Sequence, residues 1–174
     1  MNVFWTAIGL LAAMVLGCAR AEATHPAATT RTDAQRQHAH RSRVAAAPGQ
    51  HACSVSERAA VVQGVNAARR AASLRPLTSD AGLGRAAQAR ASAMASANRL
   101  SHAGWERVVR HDSNASTLGE NVAYNYPSAA AVVDAWMRSS GHRANLLRPA
   151  FRRIGVGCIV DARAHLWWAQ DFAD

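Results

Sequence analysis

The sequence predicts an α+β layered domain, and three observations predict it. Apolar residues recur at helical spacing from about residue 55 to residue 147. They switch to alternation between Ile154 and Phe172, and of two cysteines Cys53 precedes the region while Cys158 lies within its alternating part. Helices first and an antiparallel hairpin last is the pattern of helices layered on a sheet.

Ahead of that domain lie two segments of different character. Val3 to Gly17 is almost wholly apolar but shorter than the roughly 20 residues a membrane-crossing helix requires. It matches the apolar region of a signal peptide, so residues 1–23 are expected to direct export. Two processing patterns overlap there. Val15-Leu16-Gly17-Cys18 resembles a lipobox, in which Cys18 is lipidated and anchors the chain to a membrane, whereas Ala21-Glu22-Ala23 fits ordinary signal cleavage. Residues 24–50 contain no large apolar side chain except Val44, so they are expected to form a disordered linker.

Order is expected from near Cys53, giving a domain over 51–174. Ser54 or Ser56 can cap a first helix carrying Val55, Ala59, Val62, Val65 and Arg69, which Pro76 ends. Ser79-Asp80 starts a second, with Leu83, Ala87, Ala91 and Met94 on one face, closed by Leu100 to Gly104. Residues 105–117 read as a polar loop, and Gly119 to Tyr126 fits neither period clearly. Pro127-Ser128 opens a third helix with Val132, Val133, Trp136 and Met137 as its apolar face. Ser140-Gly141 breaks it before one or two further turns from His142 to Leu147. Two strands follow, joined through Asp161 to Ala164, and Gly155 and Gly157 leave one face of the first strand bare for close packing.

Composition narrows the function classes. The chain of 174 residues carries a net charge of +9, and all 20 of its basic side chains are arginine. Scattered arginines with no reading motif argue against sequence-specific nucleic-acid binding; a basic balance allows an anionic polymer or lipid surface, while a preference for arginine and a basic tail also give a high pI without any charged partner. With Cys18 assigned to the export segment, Cys53 and Cys158 form an even pair, fitting one disulfide in an oxidising compartment. No G-x-S-x-G, H-E-x-x-H, G-x-G-x-x-G or phosphate-binding loop is present. The polar residues that stand out lie where elements break: His102, Glu120 and His142. Two imidazoles and a carboxylate suit a divalent cation such as zinc, or proton transfer in which the carboxylate orients a histidine. Each residue alone also has an ordinary local role. Tyr124 and Tyr126, beside Glu120, are candidates for lining a groove, whereas Trp136 and Trp168 read as core.

Five motifs in order carry a family resemblance: Leu100-Ser101-His102; Gly119-Glu120-Asn121-Val122-Ala123; Ala135-Trp136 through Gly141-His142-Arg143-Ala144-Asn145-Leu146-Leu147; Ile154-Gly155-Val156-Gly157; and Trp168-Ala169-Gln170-Asp171-Phe172. Together they resemble the bacterial branch of the CAP superfamily, named for cysteine-rich secretory proteins, antigen 5 and pathogenesis-related proteins. The resemblance implies a three-layer α-β-α sandwich with a central antiparallel sheet, and a cleft where His102, Glu120 and His142 occupy family positions. It implies export, a cleft able to hold a divalent cation, and binding of lipids or sterols at other surfaces; a lipid or a cell-envelope polymer is the partner expected. The function expected is an envelope or secreted binding module, with a metal-assisted hydrolase using His102, Glu120 and His142 as the alternative; a monomer is expected. One departure stands out. Larger relatives carry another acidic residue just after the third helix's tryptophan, where this sequence has Arg138 and Ser139, and Asp134 precedes Trp136.

Overall fold

The structure is a computed structural model that describes residues 49–112 and 114–174. The export segment, Cys18 and all of the linker before residue 49 lie outside the described residues. The elements run β1 (His51–Ala52), α1 (Val55–Ala71), β2 (Thr78–Ser79), α2 (Ala81–Ala97), α3 (Trp105–Asp112), β3 (Leu118–Tyr124), α4 (Ala129–Arg138), α5 (Ser140–Leu146), β4 (Arg153–Val160) and β5 (Leu166–Ala173).

The sheet has the order β1-β4-β5-β3 and is antiparallel, except that β2 adds two residues parallel to β4. Its central pairing is the hairpin read from the sequence, with Cys158 opposite Trp168 and Gly155 opposite Asp171. Because strand side chains alternate, each strand splits between two layers. Ile154, Val156 and Cys158, with Trp168 and Phe172, join Val61, Val65, Val132, Val133, Trp136 and Leu146 in the core under α1, α4 and α5. Ile159, Trp167, Ala169 and Val122 instead meet Ala87, Ala91 and Met94 of α2. The strands are thus covered on both faces, which gives the three-layer sandwich expected from the sequence.

The bare face of β4 is what lets α2 lie directly on the sheet. A β-carbon at Gly155 would overlap the backbone of Leu83 and Gly84, and one at Gly157 would overlap that of Ala87. At the start of α1, Ser54 and Glu57 form a reciprocal capping box: the Ser54 hydroxyl accepts from Glu57 N at 3.1 Å, and Glu57 Oε2 accepts from Ser54 N at 2.9 Å. Asp80 caps α2 in the same manner through Leu83 N, at 2.9 Å. Cys53 and Cys158 are joined by a disulfide, with α-carbons 5.3 Å apart.

Four local expectations change. The stretch read as a polar loop over 105–117 contains α3, because Trp105, Val108 and Val109 pack on Leu83, Ala86 and Ala173 while Arg107 and Arg110 face outward. The ambiguous segment around Glu120 is strand β3, paired along its length with β5. The third helix breaks at Ser139 rather than at Ser140-Gly141: its extended backbone ends α4, and its carbonyl accepts from Arg143 N at 2.8 Å to start α5. Val55, placed on the buried face of the first helix, is 74% exposed, and the buried line is Val61, Val65 and Arg69.

Candidate functional site

The candidate site lies at β3, the outer strand of the sheet, where one histidine arrives from each helical layer. His102 lies in the exit of α2, and His142 lies on α5. Between them Glu120 projects from β3 toward the α2 layer, sharing a face with Val122 and Tyr124.

Glu120 is the buried centre of this site. Its side chain is 1% exposed, and its two oxygens engage two partners, with Arg90 reaching Oε1 as well, through Nη2 at 3.4 Å. Arg90 Nε donates to Oε2 at 2.8 Å, and His102 Nδ1 lies 2.8 Å from Oε1. Arg90 is itself held, since its guanidinium also donates to the carbonyls of Ala103, at 3.0 Å, and Ser101. One arginine therefore fixes both the carboxylate and the loop that carries His102. With Nδ1–H donating to the Glu120 carboxylate, the outward nitrogen of His102 is Nε2, on a side chain that is 55% exposed.

His142 is placed from the other side by an amide network. Asn121 Nδ2 donates to the His142 carbonyl at 3.2 Å and to Gln170 Oε1 at 3.3 Å. Asn145 Nδ2 donates to Asn121 Oδ1 at 2.9 Å and to the Glu120 carbonyl at 3.1 Å. The network locks α5 onto β3 and occupies the Glu120 carbonyl, which an outer strand would otherwise expose. Burial lowers the His142 pKa below its ordinary 6.5, and the charge of nearby His102 lowers it further. His142 thus presents a neutral imidazole at neutral pH.

Asp171 sits directly across from Glu120 in the β3–β5 register. It is fully buried, neither of its carboxylate oxygens has a hydrogen-bond partner among the described residues, and its pKa is pushed well above the ordinary 3.8. Burial is the main cause; the Glu120 charge adds to it and Arg90 opposes it. The Arg90 guanidinium is bonded to Glu120 and not to Asp171, so burial beside a second carboxylate favours the protonated form of Asp171.

The other residues singled out in the sequence fall elsewhere. Tyr124 shares the Glu120 face but lies four residues along the strand, about 13 Å away. Its ring packs on Trp167 with centroids 4.2 Å apart, and its hydroxyl lies 2.9 Å from His165 Nδ1. Tyr126 is exposed beyond the strand, where its carbonyl accepts from Trp168 Nε1 at 3.0 Å. A divalent cation would need a third donor beside the two imidazoles. Glu120 stands behind His102 with both oxygens engaged, and among the described residues no group of three His, Cys, Asp or Glu side chains is placed to hold a metal ion. The residues present do not fit a three-ligand centre.

Arg90, Asn121, Asn145, Gln170 and Asp171 complete the site and were not singled out for chemistry in the sequence. Arg90 had a signal: it falls between Ala87 and Met94 on the apolar face of α2, where an arginine is buried only if paired.

Residues 62–172 match the model of the cysteine-rich secretory protein family, CAP. The chain belongs to the CAP family. It is 34% identical over 118 residues to the uncharacterized protein YkwD of Bacillus subtilis (strain 168), covering 64% of this chain and 45% of that one. A 54-residue stretch is 43% identical to the uncharacterized membrane protein YlbC of the same organism, covering 31% of this chain and 14% of that one. This CAP chain thus spans less than half the length of these curated relatives. Among solved structures, an extracellular SCP-domain protein of Bacillus anthracis superposes with a TM-score of 0.63 at 23% identity, over 68% of this chain and 40% of that one. An outer surface protein of Borrelia burgdorferi superposes with a TM-score of 0.65 at 18% identity, over 71% of this chain and 97% of that one. These likenesses establish the CAP fold.

Proposed function

We propose that this CAP domain works outside the cytoplasm as a binding module, taking a component of the cell envelope into the cleft between His102 and His142. The observation that carries the reading is the Arg90–Glu120–His102 relay. A buried ion pair holds a half-exposed imidazole in one orientation, with Nε2 turned outward, and among the described residues no third side chain is placed to ligate a metal. Such a preorganised polar group opposite a neutral His142 suits hydrogen-bonded recognition. The Cys53–Cys158 disulfide supports an oxidising compartment, and the family's secretory description and the export segment agree with that. On this reading the N-terminal residues deliver the domain to the envelope, through lipidated Cys18 or as a free secreted chain.

The test is imidazole NMR on the full chain while solubilised envelope glycan and lipid fractions are titrated in. Shifts of His102 and His142 with one fraction, lost in His102→Ala, are expected. Rings that stay unmoved through every fraction would end the reading.

The His102–Glu120 bond also favours a second reading, a metal-independent hydrolase with His102 as general base. It requires turnover of an ester or peptide bond that drops by a hundredfold or more in His102→Ala and survives chelators. Turnover unaffected by that substitution would remove it.

A further inference from the structure

Beside the cleft, α5 and the segment after it leave an open groove of about 580 Å³, lined by Ser140, Arg143, Ala144, Leu147, Arg148 and Pro149, with Asn145 at its edge. Asn145 also belongs to the network that holds Glu120 and Asn121, so groove and cleft are contiguous. The chemistry of the groove is distinctive. From Ala135 to Val160 the sequence has five arginines (Arg138, Arg143, Arg148, Arg152 and Arg153) and no Asp or Glu. Arg138 pairs with Asp134 and Arg153 with Asp80. Arg143 and Arg148 are exposed and have no carboxylate partner among the described residues. Arg148 instead lies over the Phe151 ring, 5.4 Å from its centroid.

The groove wall is also fixed from beneath. Arg69 is fully buried and donates to the carbonyls of Leu146 at 2.7 Å, Arg148 at 3.1 Å and Phe151 at 3.4 Å. The backbone that presents Arg148 is therefore pinned to α1. The result is an open groove lined by Ala144, Leu147 and Pro149 together with two guanidiniums that have no carboxylate partner among the described residues.

We propose that this groove binds the phosphate groups of a phosphodiester-linked envelope polymer, and that Arg143 and Arg148 are its specificity residues. Guanidinium forks match phosphate oxygens in geometry and charge. A concave site favours a discrete group on a chain over a flat bilayer, which is met by protruding side chains. The inference deepens the binding-module reading and rests on it only for the link to the cleft.

The test uses the full chain and a fluorescent oligo(glycerol phosphate), followed by anisotropy at several salt concentrations. Binding that weakens with salt is expected. Arg143→Gln/Arg148→Gln should weaken it tenfold or more and reduce the logarithmic salt slope by about 1.4, for two lost phosphate contacts. Arg85→Gln/Arg107→Gln, which removes the same charge from exposed arginines of α2 and α3, should leave binding within twofold. If losing the Arg148–Phe151 contact unfolds the double variant, Arg143→Gln alone should halve the slope change. Equal loss in both double variants, an unchanged groove variant, or binding to phosphatidylglycerol vesicles without binding to the soluble oligomer would each overturn the proposal. His102→Ala separates the two readings: if the groove variant loses binding and His102→Ala keeps it, the groove stands and the cleft reading falls.

Discussion

Removing the Arg90 guanidinium would leave Glu120 buried without its cation. Arg90→Ala should therefore destabilise the domain by about 3–5 kcal/mol, read by urea unfolding, and should release His102. A loss under 1 kcal/mol would mean that Glu120 is protonated or hydrated without Arg90. Asp171 makes the opposite case. Its pKa is raised in the folded chain, so the folded state binds more protons than the unfolded one above about pH 4. Stability then falls as pH rises from the unfolded value toward the raised one. Asp171→Asn keeps the shape without the ionisation, so it should flatten this fall and gain on the parent as pH rises; parallel stability profiles from pH 4.5 to 8 would contradict it. At this scale the sequence was only partly legible. His102, Glu120 and His142 stood out because they follow element breaks and match family motifs. Gln170 and Asp171 sat in an alternating strand as though half of it faced water. Only the second helical layer, over β5, shows that both faces are buried and makes these polar residues informative.

At the scale of elements, the helices with long apolar faces and the final hairpin were readable because their periods are strong. The shortfall was α3, in which two of three apolar anchors are adjacent and the rest is charged, so its single buried face looked like a loop. Strand β3 was ambiguous for a related reason: Gly119, Glu120 and Asn121 have little strand preference, and pairing with β5 decides the matter. Gly155 and Gly157 made a close neighbour over β4 legible, and the structure identifies that neighbour as α2. That contact sets a prediction: Gly157→Ala should cost about 1–3 kcal/mol through overpacking, because its β-carbon meets the Ala87 backbone rather than a movable side chain. It should also shift the His102 ring resonances, since α2 carries Arg90. A variant that keeps both its stability and its spectrum would show that α2 can lift off the sheet freely.

For the whole molecule, the cysteine count made the disulfide readable, and the structure supplies its place: it ties the segment before α1 to the middle of β4. Its loop of 105 residues spans nearly the whole domain. Cys53→Ala/Cys158→Ala is expected to lose about 4–5 kcal/mol in the chain-entropy model, measured as the difference in urea unfolding from the parent. An unchanged unfolding free energy would mean that the crosslink does little beyond joining two already close strands. The same bond governs how the domain answers a pull. Cys53 lies on the N-terminal side of every helix, and only β1 precedes it among the described elements. Tension arriving from that side can peel the two residues of β1 away and then reaches a covalent stop on a strand paired on both edges. The load is carried into the sheet instead of unwinding α1 from its cap, and chemical reduction would hand it to Ser54 and Glu57.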